Sequence, residues 1–140
     1  MATAAGAYGA SAGQEEAPLN RNEERLEEIL NKAGIPFERQ GRAGGHRIDC
    51  LIGNVAADVN GVFWHSKPKV IACDRVKLPR VVRAGVMPLG LWDRRVWKTP
   101  EFAIECVRKA LDGKLPVWDW NVPIEELPED IREQVVAWMR

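Results

Sequence analysis

Asp49, His65 and Asp74 are the residues whose types and spacing suit chemistry. His65 closes the run Gly61-Val62-Phe63-Trp64-His65, with one carboxylate upstream and another downstream. Metal-dependent cleavage of a phosphodiester needs such a grouping. A hard oxygen ligand holds a divalent cation, and a group that titrates near neutral pH moves protons.

Those side chains need a scaffold, and the pattern of the chain predicts one. Residues 1–19, rich in Ala, Gly, Ser and Glu, read as a flexible tail with too little apolar surface to offset its ordering entropy. Asn20-Arg21-Asn22-Glu23 has capping-box spacing, and Leu26, Ile29, Leu30 and Ala33 recur at helical intervals up to Gly34 and Pro36. The period then shortens: 46–52 and 55–60 read as strands of a hairpin turned by Gly53-Asn54, which would set Asp49 near Asp58. Residues 66–73 read as a loop. A helix is expected over about 75–84, starting near Lys77 so that Pro79 falls in its first turn. Residues 86–92 read as a buried strand that follows a crossover onto a parallel neighbour. A helix opening at Thr99-Pro100 runs to Gly113. Residues 114–127 form a loop with Trp118 and Trp120, and a last helix covers about 128–139. The sum is α/β: a mixed sheet flanked by helices.

Composition bounds the function. The 140 residues suit one core, and no apolar run is long enough to span a membrane. Cys50, Cys73 and Cys106 are odd in number and far apart, which indicates neither a disulfide framework nor a zinc knuckle and fits a reducing, cytosolic setting. The formal net charge is zero but unevenly spread. Residues 67–109 hold 11 basic and 4 acidic side chains, whereas residues 110–140 hold 3 basic and 7 acidic. The basic stretch is either a phosphate-facing surface or a set of solvated helix faces.

Glu23-x-x-Leu26, Gly34-Ile35-x-Phe37, Ile48-Asp49, Gly61-x-Phe63-Trp64-His65, Asp74-Arg75 and Gly85 followed by an apolar strand to Trp92 occur in order over about 20–111. This series resembles the very-short-patch repair endonucleases and their homing-endonuclease relatives, a branch of the restriction-endonuclease-like PD-(D/E)XK superfamily. The resemblance implies a restriction-endonuclease-like mixed β-sheet and a Mg2+-dependent DNA endonuclease leaving 5′-phosphate and 3′-hydroxyl ends. It implies a nuclease domain over 20–111, with 112–140 a C-terminal loop and helix packing on that domain or on a partner. By the same resemblance Asp49 ligates Mg2+; Asp58, outside the histidine-type pattern but where wider members of the fold carry a second acid, is either a further ligand with the Val59 carbonyl or a solvated strand residue. His65 is the general base, Asp74 supports it, and Glu23 matches a helix glutamate of the family. Phe63 and Trp64 match aromatics that wedge between bases. Lys67, Lys69, Arg75 and Lys77 are the expected DNA-contacting cations, and a homodimer or a larger nuclease assembly would supply sequence specificity.

Other readings of the same residues stand beside these. Glu23 suits the arm of a capping box, Asp74 the N-cap of a helix at Arg75, and Phe63 and Trp64 core packing. Asn60 stands where repair members carry a second histidine, and the motif lacks their zinc-binding Cys/His set, which favours a nicking or homing-type relative. The rival functions are a non-catalytic DNA-binding module that retains the fold and a protein-interaction domain.

Overall fold

The computed structural model describes residues 20–140; the expected tail at 1–19 lies outside the described residues. Helix α1 (Arg21–Ala33) opens on a complete capping box. The Asn20 side chain accepts from the Glu23 amide at 2.8 Å, and Glu23 Oε1 accepts from the Asn20 amide at 3.0 Å. It closes at Gly34, whose φ of +72° is the left-handed conformation that favours glycine.

The sheet that follows is mixed. Strands β1 (Glu38–Arg39), β4 (Cys50–Ile52), β5 (Val55–Asn60) and β6 (Met87–Trp92) lie in the order β1-β4-β5-β6. The first two pairings are antiparallel and β5–β6 is parallel, as the crossover requires. The segment expected as one strand over 46–52 is divided. β3 (His46–Arg47) pairs instead with β2 (Arg42–Ala43) in a small ribbon, and Asp49 sits on the bend before β4.

Side-chain alternation along β5 separates two chemistries. Val55, Ala57 and Val59 enter the main core with Leu26, Ile29 and Leu30 of α1 and with Ala103, Cys106 and Val107 of α5 (Pro100–Leu111). Ala56 faces the other way, packing with Ala43, Ile48 and Val81, and Asp58 and Asn60 share its face. That face is covered by α3 (Pro68–Arg83).

Helix α3 corrects the expectation of a loop at 66–73 and a helix from about 75. Pro68 is the proline of the first turn, and Pro79 lies inside the helix. Pro79 lacks the amide that would bond the Arg75 carbonyl, yet burial of Asp74, Lys77, Leu78, Val81 and Val82 at helical spacing carries the helix through. A short helix α2 (Val62–His65) precedes it, and α4 (Asp93–Lys98) follows β6. Thr99 stands at the N-cap of α5, but its hydroxyl donates to the Arg95 carbonyl rather than capping. The C-terminal segment packs on the same domain: Leu115, Trp120, Val122 and Leu127, with Ile131 and Val135 of α6 (Glu129–Met139), belong to the main core.

All three cysteines are free. Burial holds the Cys50 thiol far above its ordinary range and pushes Cys106 up to about 11, so neither is poised as a thiolate nucleophile. Among the described residues no helix is long and apolar enough to cross a membrane.

Candidate active site

Two clusters of buried polar groups meet on the α3 side of β5. The first is a set of carboxylates. Asp49 and Asp58 are clasped through the backbone: the Asp49 amide donates to Asp58 Oδ1 at 3.0 Å, and the Val59 amide donates to Asp49 Oδ2 at 2.9 Å. Glu23, 3% exposed, reaches Asp49 from the first turn of α1 and hydrogen-bonds its carboxyl. Glu23 therefore serves both as capping-box arm and as a member of this cluster. Burial raises the Asp49 carboxyl well above the usual carboxylate range; the charges of Asp58 and Glu23 and the Glu23 hydrogen bond add to it, and the Val59 amide opposes it. Lys77 Nζ donates to Asp58 Oδ2 at 2.8 Å, with both side chains buried, while the charges of Glu23 and Asp49 act on the Arg47 guanidinium.

The second cluster is built on the histidine. His65 is 7% exposed and Asp74 is fully buried, and His65 Nδ1 lies 2.7 Å from Asp74 Oδ2. Asp74 is thus a mid-helix group facing inward, and the N-cap alternative fails because α3 starts six residues earlier. The other oxygen, Asp74 Oδ1, is buried with no hydrogen-bond partner among the described residues. Asp74 and Lys77 are separated by three residues on one helix face, so the His65–Asp74 and Asp58–Lys77 pairs stand side by side.

A strap that the sequence did not announce holds this arrangement. Trp120 sets its ring edge-on to His65, 6.3 Å between centroids, with Lys77 Nζ 5.8 Å from its own ring. The Asn121 amide donates to the His65 carbonyl. Asp119 accepts from the Trp92 amide at 2.8 Å and from two nitrogens of Arg95, and its carbonyl accepts from the Asn60 side chain at 2.7 Å. The strap crosses β6 at Gly90, where a Cβ would come within 2.7 Å of Asn60 and Trp120 and 2.8 Å of the Asp119 carbonyl. Gly90 is therefore needed for close approach. Asn60 is here used to anchor the strap.

The remaining expected residues fall in different places. Phe63 and Trp64 are 64% and 62% exposed on α2, which overturns the core-packing alternative; only His65 of that helix turns inward. Lys67 Nζ lies 4.0 Å from the Phe63 ring centroid. Lys69 lines an open cavity of about 370 Å3 with His46, Ala72, Cys73 and Val76. His46 is held below the ordinary imidazole range by burial and by Lys77, Arg80 and Arg42, so it adds no standing positive charge for a phosphate. Arg75 pairs with Glu126 at 2.6 Å. Lys77 is buried against Asp58 rather than at the surface, because the inward periodicity of α3 includes it.

Among the described residues no group of three or more His, Cys, Asp or Glu side chains is arranged to hold a metal ion. Mg2+ commonly takes one or two carboxylates and completes its shell with water and substrate phosphate oxygens. Asp49 and Glu23 supply two oxygen donors for that smaller demand, and the Arg47 guanidinium feels the charge of both.

No family model matches the chain, and no curated protein matches it. Among solved structures, the catalytic domain of the homing endonuclease I-Bth0305I is similar, with a TM-score of 0.50 and 26% identity over 67% of this chain and 92% of that one. The mixed sheet flanked by helices is thus a nuclease-like fold.

Proposed function

We propose that this chain is a Mg2+-dependent DNA endonuclease of the very-short-patch repair and homing branch of the PD-(D/E)XK superfamily, cutting phosphodiesters by in-line attack of water. The observation that carries this reading is the buried His65–Asp74 pair, its Asp74 set on the helix whose Lys77 is buried against Asp58 of the carboxylate group. Asp74 on Nδ1 fixes the tautomer in which Nε2 accepts a proton, and its charge steadies the imidazolium that results. His65 takes the proton of the attacking water. Among the described residues Asp74 keeps an unpartnered oxygen in the core, at a cost of roughly 1–3 kcal/mol, which fits a group kept for chemistry.

Asp49, with Glu23 beside it, would hold Mg2+, and Asp58 steadies Asp49 through its backbone amide. When bound, the cation polarises the phosphoryl oxygen and offsets the charge that builds on phosphorus. Lys77 pairs with Asp58 and places a positive charge at the same wall. Trp120 and Asn121 exclude water from the inner side of His65 and fix its backbone, so residues 112–140 complete the domain that 20–111 begins. Phe63 and Trp64, exposed at the mouth, suit insertion into a base step, with Lys67 at hand for phosphate.

The test is nicking of supercoiled plasmid. Wild type nicks with Mg2+, and EDTA or Asp49→Ala stops it; nicking by Asp49→Ala at the wild-type rate removes the metal assignment. DNA binding without cleavage under every divalent metal would select the non-catalytic module instead.

A further inference from the structure

The exposed aromatic residues at the mouth do not end with α2. Trp97 of α4 is 42% exposed, and its indole nitrogen donates to Asn22 at 2.8 Å. The guanidinium carbons of Arg21 and Arg25 both lie 5.4 Å from its ring centroid. Gly61 joins this group to α2, since a Cβ there would lie 3.7 Å from Trp64, 3.8 Å from Asn22 and 3.9 Å from Asp93. A continuous rim thus runs from Phe63 and Trp64 across Asn22 to Trp97 and its two arginines. The next residue of α1, Glu23, turns inward to Asp49, so the rim borders the carboxylates directly.

Charge on this side contrasts with charge on α3. There, Lys77 is buried against Asp58, Arg75 is paired with Glu126 at 2.6 Å, and Arg83 with Asp130 at 3.3 Å. The acidic C-terminal segment thus takes up Arg75 and Arg83 of the basic stretch that looked suited to phosphate. On the rim, Arg25 is held by Glu28 at 2.6 Å and by the Val96 carbonyl, and Asp93 contributes one carboxylate. Arg21 is exposed, with its guanidinium held over the Trp97 ring. A guanidinium attracted to an indole face loses part of its freedom while its outer nitrogens remain open to a phosphate.

We propose that this rim is a second DNA-contacting surface: Trp97 braces Arg21 to grip the phosphates of the strand that flanks the α2 wedge. It rests on the endonuclease reading and assigns the flank of the substrate to the α1–α4 side rather than to α3. The contact is to the backbone, so it strengthens binding equally for every sequence.

The experiment measures affinity for a labelled duplex oligonucleotide in EDTA over a range of salt. Arg21→Gln is expected to weaken binding roughly tenfold and to lower the slope of log affinity against log salt by about one. Trp97→Ala should weaken binding similarly, and Trp97→Phe should restore most of the loss. Lys32→Gln, at the far end of α1, should match wild type. Thermal melts show whether each variant is folded; Arg21, exposed and outside the core, keeps the test open if Trp97→Ala does not fold. Unchanged affinity and slope in Arg21→Gln, while wild type nicks plasmid with Mg2+, overturn the rim and leave the endonuclease reading intact. Failure of wild type to bind or nick DNA overturns both.

Discussion

The carboxylate side and the histidine side of the site are built by opposite means. Glu23, Asp49 and Asp58 gather like charges from α1, the bend before β4, and β5, with Lys77 as a counter-ion on Asp58. The histidine side gathers opposites: Asp74 on His65, Arg95 on Asp119, and side-chain amides on the carbonyls of His65 and Asp119. One side is held apart from its electrostatic minimum and would be relieved by a cation. The other pairs opposite charges in advance, one Asp74 oxygen excepted, and keeps an imidazole in one orientation. On the proposed reading, the repulsion marks where a metal would bind and the order marks where a proton would move.

Substitutions can break this contrast, beginning with the largest expected effect. Asp74→Asn should leave the fold in place and lower the single-turnover nicking rate by about 10²–10⁴-fold, since the amide neither fixes the tautomer nor steadies an imidazolium. Asp119→Asn removes the charge that Arg95 faces and should cost about 2–3 kcal/mol in a urea titration, Arg95 being partly exposed. Gly90→Ala forces backbone and strap apart and should cost about 1–3 kcal/mol, with nicking falling as His65 loses its brace.

The carboxylate side should respond with the opposite sign. The folded-state pKa of Asp49 is raised above its unfolded value. Its contribution to stability is therefore fully present below the unfolded pKa and is lost as pH rises through the folded one. Asp49→Asn should thus raise the melting temperature at neutral pH, and the gain should disappear on acidification. Calorimetry should also show the Mg2+ concentration for half-saturation of wild type rising as pH falls through the Asp49 range. The smallest effect is expected at the mouth: Phe63→Ala should change stability by less than about 0.5 kcal/mol while weakening DNA binding.

Much of the histidine side was legible in order but not in form. His65 and Asp74 stood out by type and spacing, yet Pro79 was taken to mark a helix start and hid the true start at Pro68. The inward row at 74, 77, 78, 81 and 82 was the available signal, and it would have placed Asp74 and Lys77 on one buried face. The hairpin that brings Asp49 to Asp58 was readable from Gly53-Asn54 and the flanking alternation. The bend at Asp49 was not, because β3 leaves the main sheet to pair with β2. Trp120, Asn121 and Gly90 meet across long sequence separations, and no local pattern encodes such a contact. The uneven charge was visible, but only the fold reveals that Glu126 and Asp130 neutralise Arg75 and Arg83.

Single-turnover cleavage of plasmid by wild type and His65→Ala, at saturating Mg2+ and with both proteins shown to be folded, tests the central claim most directly. The His65→Ala rate should fall by about 10²–10⁴-fold while DNA affinity holds. Equal rates for the two proteins would contradict the assignment of His65 as the base.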